Sequence, residues 1–211
     1  MHDRSHRKVI AIAAPIGGGK SALVTALASA LKDSVTLRFD DYENATRQSV
    51  DALAKWLAEG ADFNQLQAPG LADDLAILRK GDAINARDGV SIVAGTQDLI
   101  FEMPLGRAWS ATTDNIDLLV WVDVPLDIAL ARRIREVSAD MLRQDAASAK
   151  RGLAWLNDYL GHYIATIHAV LEAQRRTVRA QADLIVDGTQ PIASIVQSVL
   201  DHIAQSPTVA R

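Results

Sequence analysis

Five short stretches of the chain are rich in apolar and β-branched residues, and each has the length of a strand. They are VIAIA from Val9, VTLRF from Val35, DLIFE from Asp98, NIDLLVWVD from Asn115 and ADLIVD from Ala182. The segments between them carry apolar residues three or four positions apart, which is the pattern of an amphipathic helix. In the first such segment these residues are Leu23, Val24, Leu27 and Leu31. Strands that alternate with helices predict an α/β fold in three layers, with a five-stranded parallel sheet flanked by helices.

Two smaller elements lie between the second and third strands. A helix is predicted through Val50, Leu53 and Leu57, and residues 82–97 read as two short strands around Asp88-Gly89, a typical hairpin turn. Trp56, Phe63 and Trp109 either line a pocket or, as large aromatics more often do, pack in the interior.

The overall composition narrows the class of protein. A chain of 211 residues predicts one domain over 1–211, with a core of about 9–203, and 49% hydrophobic with 23% charged residues is typical of a soluble protein. A net charge of -4 argues against nucleic acid as a partner, and no apolar run reaches the roughly 18 residues needed to span a membrane. The absence of cysteine excludes disulfides and thiolate chemistry and fits a cytoplasmic location. The oligomeric state is open, and a homo-oligomer is compatible with the sequence.

The first strand leads into a glycine-rich loop with a phosphate-binding pattern. The segment APIGGGKS, from Ala14 to Ser21, matches the P-loop (Walker A) pattern except that alanine replaces its first glycine. Such a loop directs backbone N–H groups and a helix N-terminus at phosphate. The nucleotide-binding residues are therefore predicted to be Gly17, Gly18, Gly19, Lys20, Ser21 and Ala22. Lys20 would reach the outer phosphates, and the Ser21 hydroxyl would ligate Mg²⁺.

Carboxylates follow the second and third strands. Asp40-Asp41 ends one and Glu102 ends the other, so in a parallel sheet they should lie at the edge where the P-loop emerges. Asp40 is then placed to activate an acceptor hydroxyl, and Glu102 to hold Mg²⁺ directly or through water. The alternative for the Asp pair is a loop or a helix cap.

The order of these pieces resembles the uridine kinase-like family, which includes phosphoribulokinase, bacterial pantothenate kinase and nicotinamide riboside kinase. GGGKS resembles its P-loop, FDDY its strand with the catalytic Asp, and LIFEM its L-F-E-G strand. The resemblance implies transfer of a nucleotide γ-phosphate to a small-molecule hydroxyl, with Asp40 as base and Ser21, Asp40 and Glu102 around Mg²⁺. It also implies a helical lid at about 133–152 in which Arg133 is catalytic and Arg143 contacts the nucleotide, although both arginines could equally belong to a solvated helix face. Adenine contacts are expected around Thr189 to Pro191.

The acceptor region departs from that family. Gly70 stands where uridine kinases have a ribose-binding Asp, and the stretch 45–67, within an acceptor-site insert of about 46–97, is longer than the family connection. We expect this segment to shape the acceptor pocket. The sequence therefore predicts an ATP- and Mg²⁺-dependent kinase of a nucleoside, sugar or related metabolite, with GTP as an open alternative donor. The alternatives are a shikimate- or gluconate-type kinase and a nucleotide-binding regulator or assembly ATPase without a small-molecule acceptor.

Overall fold

The five long strands of the chain form one sheet in which every neighbouring pair is parallel. A computed structural model describes residues 7–32, 34–42, 49–85, 91–92 and 98–205. In chain order the strands are β1 (Val9–Ala13), β2 (Val35–Arg38), β3 (Ile84–Asn85), β4 (Ser91–Ile92), β5 (Leu99–Glu102), β6 (Leu118–Asp123) and β7 (Leu184–Asp187). The sheet has the order β2-β5-β1-β6-β7. The predicted α/β fold with a five-stranded parallel sheet is confirmed.

Helices cover the sheet on both faces. They are α1 (Lys20–Ala30), α2 (Val50–Ala58), α3 (Leu71–Lys80), α4 (Ser110–Thr113), α5 (Leu126–Met141), α6 (Ala146–His162), α7 (His168–Arg179) and α8 (Ile192–Gln205). Successive side chains of β1 point to opposite faces, so Ile10 and Ile12 pack with α1 and α8, whereas the other residues of β1 pack with α2, α3 and α7. Because both faces are covered, β1 is apolar throughout and fully buried.

The smaller predicted elements are present, with one shift of boundary. Strands β3 and β4 pair antiparallel, as the predicted hairpin requires, while its turn at Asp88-Gly89 lies outside the described residues. Helix α2 begins after Ser49, whose side chain accepts a hydrogen bond from the Ala52 amide. Strand β2 ends at Arg38 and not at Phe39, because Phe39 opens a 3₁₀ turn and packs its ring edge-to-face against Trp109. Trp56, Phe63 and Trp109 are thus residues of the buried core.

A continuous helical column follows α5. Helix α6 runs back along α5, with Gly152 against the side chain of Met141, and a π-helical turn at Tyr163–Ile167 joins α6 to α7. The predicted lid of 133–152 therefore consists of the second half of α5, a short turn and the first part of α6. Among the described residues, no helix is both long and apolar enough to cross a membrane.

The strand order makes one edge of the sheet the natural ligand site. Connections leave β1 on one side toward β5 and β2, and later strands add on its other side as β6 and β7. In open α/β sheets, ligands bind at the carboxyl ends of the strands where the order reverses in this way. This point is the end of β1, where the glycine-rich loop begins.

At the opposite edge of the sheet, two carboxylates accept hydrogen bonds from the backbone amides where β1 begins. Asp117 accepts a hydrogen bond from the Val9 amide at 2.8 Å and forms an ion pair with Arg79, and Asp98 accepts from the Lys8 amide at 3.3 Å. Burial raises the pKa of Asp98, and the negative charge of Asp117 acts in the same direction, against the opposing effect of Lys8. The charged form of Asp98 is therefore disfavoured in the folded protein.

This shift predicts that Asp98→Asn stabilises the protein at neutral pH. The amide oxygen can still accept from Lys8 but carries no charge to desolvate. Because solvent screens a half-exposed charge, the free energy of unfolding should rise by only about 0.5 kcal/mol. A carboxyl whose pKa is raised on folding destabilises the protein once it is charged, that is, as pH rises through the folded-state pKa. Toward pH 3 the carboxyl is protonated, so the advantage of the variant should vanish there. Urea unfolding from pH 3 to 8 measures it, and an advantage that grows as pH falls would contradict the assignment.

Candidate active site

The loop between β1 and α1 has a backbone suited to its glycines. Gly17 and Gly19 have φ values of 74° and 93°, in the region that L side chains avoid. A side chain at Gly18 would press against the Pro15 carbonyl and the Ala14 methyl group. Ala14 keeps a negative φ, since Ala61 is the only non-glycine residue with positive φ in the described part of the chain. Alanine at the first position is therefore compatible with the loop.

Several N–H groups at this loop have no acceptor. The first hydrogen bond that enters α1 runs from the Leu23 amide to the Gly19 carbonyl. The amides of Gly19, Lys20, Ser21 and Ala22 find no acceptor among the described residues. The Gly18 amide differs, because it donates to the Pro15 carbonyl at 2.9 Å and so closes the turn. The free amides and the helix N-terminus together favour an anion at this place.

Helix α5 lies directly against the glycine-rich loop. A Cβ atom at Gly17 would collide with the carbonyl group of Ala129 and lie 3.3 Å from the Cβ of Arg133. The side chain of Arg133 therefore leaves α5 directly beside the loop. Its Nη1 donates to Glu136 at 2.8 Å, while its buried Nε has no hydrogen-bond partner. Arg133 thus belongs to the same neighbourhood as the loop.

Glu102 is a buried carboxylate at the centre of the site. Its strand lies between β1 and β2, where Glu102 is in register with Ile12 on one side and Arg38 on the other. The Ser21 hydroxyl donates to its Oε1 at 2.8 Å, and the Arg38 Nε lies 3.8 Å from its Oε2. The residue is only 4% exposed, so these two partners and the loop enclose its charge. Of them, sequence analysis identified Ser21 but missed Arg38.

Lys20 and Asp40 complete the charged group. Burial lowers the pKa of Lys20, and the carboxylates of Glu102 and Asp40 oppose that effect because they favour the charged ammonium. The Lys20 ammonium makes no hydrogen bond or ion pair with another described residue. Asp40 lies in the 3₁₀ turn after β2 with an exposed side chain. The four residues predicted at the phosphates and metal, Lys20, Ser21, Asp40 and Glu102, thus lie close together.

Protein side chains alone do not form a complete metal site here. Among the residues that the structure describes, no group of three or more His, Asp or Glu side chains is placed to hold a metal ion. A hydroxyl and one or two carboxylates are nevertheless the few protein ligands that Mg²⁺ takes when phosphate oxygens and water supply the rest. The Ser21–Glu102 pair fits such a shared site.

Arg143 lies apart from this group. It follows the end of α5, about 20 Å along the helix axis from the contact of Ala129 with Gly17. Its exposed side chain forms an ion pair with Asp140. The structure therefore does not bring Arg143 to the phosphate loop.

The loop after β7, where adenine contacts were predicted, ends at the same edge of the sheet. Asp187 accepts hydrogen bonds from the amide and hydroxyl of Thr189 and from Gln190, and these bonds lower its pKa. Arg132 of α5 donates to the Gly188 carbonyl at 2.9 Å. The loop is thus well ordered by its own side chains, and its contact with a base stays a prediction.

Sequence analysis also missed two hydrogen-bonded links to the site. Tyr42, which follows the Asp pair, donates to Asp74 at 2.7 Å, and this connects the end of β2 to α3. Gln174 of α7 donates to the carbonyls of Ala14 and Pro104. Neither a tyrosine after the Asp pair nor a glutamine in an amphipathic helix carries a local signal of such long-range contacts.

The contact of α5 with the loop predicts different effects for two glycine substitutions. In Gly19→Ala the methyl group has free space, but alanine must adopt a positive φ, which should cost about 1 kcal/mol of folding stability. Gly17→Ala adds a collision with the Ala129 backbone and should cost at least about 2 kcal/mol more. Thermal and urea unfolding of both variants measure the difference, and equal losses would mean that α5 does not rest on Gly17.

Comparisons with known proteins add little to this description. No protein-family model matches the sequence, and no curated protein matches it. Among solved structures, a shikimate kinase from Aquifex aeolicus has a TM-score of 0.44 at 14% identity, covering 93% of this chain and 96% of that chain. A protein described as a fructose transport system kinase from Silicibacter sp. TM1040 has a TM-score of 0.47 at 17% identity, over 86% of this chain and 90% of that chain. At these scores the functional argument rests on the site geometry, and membership of the uridine kinase-like family stays a prediction.

Proposed function

We propose that this protein is an ATP- and Mg²⁺-dependent kinase that transfers the γ-phosphate to a hydroxyl group of a small molecule. The observation that carries the proposal is the group formed by Lys20, Ser21, Asp40 and Glu102 beside a row of unbonded amides. Two of these residues open α1, which follows β1, and the other two lie at or just after the ends of β5 and β2. The three strands are adjacent, at the point where the sheet order reverses. Phosphoryl transfer depends mainly on positioning and charge stabilisation, which such an arrangement supplies.

The loop and Lys20 would hold the phosphates. The amides of residues 19–22 face the place where an anion gains most from the N-terminus of α1. An ammonium that lacks a hydrogen-bonded partner and has a lowered pKa gains a strong, charge-assisted interaction when a phosphate oxygen arrives. Lys20 would then stabilise charge on the transferring group.

Ser21 and Glu102 would anchor the metal, with Asp40 beside them. When bound, Mg²⁺ would neutralise charge on the phosphates and orient them. The Ser21 hydroxyl already points at the Glu102 carboxylate, so both oxygens face one small region. Glu102 is too buried to act as a base toward a diffusing acceptor, which favours a role in holding the metal.

Asp40 would accept the proton of the acceptor hydroxyl. Its carboxylate is exposed and close enough to Lys20 to affect that residue electrostatically, so it lies at the open side of the phosphate site. A carboxylate in this place can orient the attacking oxygen and take its proton. Arg133, whose Cβ lies beside Gly17, would add positive charge if it exchanges Glu136 for a phosphate oxygen.

The finer class of the acceptor follows from the sequence resemblance. We propose a nucleoside, sugar or related metabolite, bound beneath the hairpin of β3 and β4 in a cytoplasmic enzyme. Gly70 precedes α3 with a φ of 85° and offers no side chain to an acceptor, so a ribose contact of the uridine kinase type would need another residue.

The central test is phosphate transfer by Asp40→Asn, with Asp41→Asn, at the adjacent and also exposed carboxylate, as control. Wild type and variants would receive Mg²⁺-ATP and a panel of nucleosides, pantothenate, glycerate, sugars and sugar phosphates, with products read by mass. We expect one acceptor class to gain a phosphoryl group, and Asp40→Asn to reduce turnover roughly 10²- to 10⁴-fold at similar ATP affinity. Asp41→Asn should retain most activity.

Two outcomes would contradict the proposal in different ways. Equal turnover by wild type and Asp40→Asn would remove Asp40 from the mechanism. Tight ATP binding with slow hydrolysis that no acceptor stimulates would favour a nucleotide-dependent regulator over a kinase.

A further inference from the structure

We infer that Gln174 is a positioning residue that fixes the phosphate loop relative to the Glu102 carboxylate. This inference rests on the proposed function and extends it to a residue of α7, which the sequence motifs do not include. Gln174 is 6% exposed, and it lies on a different helix from every residue assigned above. Its role follows from what its amide group bonds.

One nitrogen atom of Gln174 joins two loops of the site. Its Nε2 donates to the Pro104 carbonyl at 2.7 Å and to the Ala14 carbonyl at 3.3 Å. Ala14 is the first residue after β1 and opens the phosphate loop, whereas Pro104 comes two residues after Glu102. The side-chain NH₂ has two hydrogens, so one group can serve both acceptors.

The sheet itself cannot make this connection. The ladder between β1 and β5 ends with the hydrogen bond from the Met103 amide to the Ile12 carbonyl at 3.0 Å. After Met103 the backbone enters a turn, in which the Gly106 amide donates to the Met103 carbonyl at 3.1 Å. Beyond this point the segments that follow β1 and β5 separate, and Gln174 supplies both donors that hold them at a fixed distance.

The polar amide group of Gln174 is not needed to fill the space that its side chain occupies. A flipped amide would place its oxygen against two carbonyl oxygens, so the hydrogen-bond pattern assigns the nitrogen to this side. The buried Oε1 on the other side has no hydrogen-bond partner, which costs folding free energy. Methionine, of similar length, would fill the same space without that cost. The amide is therefore explained by the two carbonyls and not by burial.

Helix α7 supports the segment after Glu102 at a second point. A side chain at Gly106 would collide with Val178, which lies one turn along α7 from Gln174. The backbone from Pro104 to Gly106 thus rests on the same face of α7 that bonds Ala14. Loss of the Gln174 bonds would let the phosphate loop and Glu102 shift independently and would weaken the shared metal site first.

The test compares Gln174→Met with Gln174→Asn. Methionine keeps the volume but removes the donor, whereas asparagine keeps a donor but is one methylene shorter and leaves space. If Gln174 positions the site, Met should be the more damaged in function, although Asn should be the less stable fold. Gln181→Met, at an exposed glutamine just after α7, is the matched control and should behave as wild type.

Two measurements would be made on each variant. Kinetics should show kcat/KM of Gln174→Met for Mg²⁺-ATP lowered roughly 10- to 100-fold, mainly through a higher KM. Calorimetric titration of ATP, with Mg²⁺ and with a chelator, should show that the gain in affinity due to Mg²⁺ falls by a similar factor. ATP binding without Mg²⁺ should be unchanged.

The outcomes separate this inference from the proposed function. Wild-type values in Gln174→Met, or greater functional damage in Gln174→Asn than in Gln174→Met, would overturn the positioning role. If Gln174→Met does not fold, Gln174→Leu, which also lacks the donor, takes its place, and a full Mg²⁺ effect in that variant would overturn the role as well. If wild type phosphorylates no acceptor, the kinase proposal fails, and the titration of Mg²⁺-dependent ATP binding still decides the role of Gln174.

Discussion

The hydrogen bond from the Ser21 hydroxyl to the buried Glu102 carboxylate joins the parts of the site. Ser21 lies in the first turn of α1, and Glu102 ends the strand next to β1. That bond exists because β5 inserts between β1 and β2 in parallel register, which brings Glu102 level with Ile12 and Arg38. A shift of β5 by one residue would turn its carboxylate to the opposite face of the sheet. The register of one four-residue strand thus sets the geometry of the whole site.

The charges at this site are arranged to meet a polyanion. A buried carboxylate is costly unless it is paired, and Glu102 has a hydroxyl and a guanidinium as its partners. Burial disfavours the charged form of Lys20, whereas the two neighbouring carboxylates favour it. Phosphate oxygens would satisfy both the Lys20 ammonium and the free amides of α1, while a divalent cation would relieve the crowding of negative charge near Glu102. Nucleotide and metal would therefore stabilise the site more together than either does alone.

Features set by local sequence patterns could be predicted, whereas contacts between residues far apart in the sequence could not. The five strands, the loop from Ala14 to Ser21 and the carboxylate after β5 follow from local periodicity and from the rule that parallel strands end at one edge. The bonds of Gln174 to Ala14 and Pro104 join residues 160 and 70 positions apart, which no local pattern encodes. The basic residues at the end of α7 also pair with a distant part of the chain. Arg175 and Arg179 form ion pairs with Asp123, the last residue of β6.

The two predicted arginines, Arg133 and Arg143, differ in how they are held relative to the phosphate loop. Arg133 is held near the phosphate loop because the backbone of Ala129, one turn earlier, rests against Gly17. Arg143 lies beyond the far end of the same helix, where α6 turns back and Gly152 packs on Met141. A rigid rotation of all of α5 that brought Arg143 to the phosphates would break the contact at Gly17. Lid closure by Arg143 would therefore require bending between Arg133 and the α5–α6 turn, whereas Arg133 needs only a change of its own side chain.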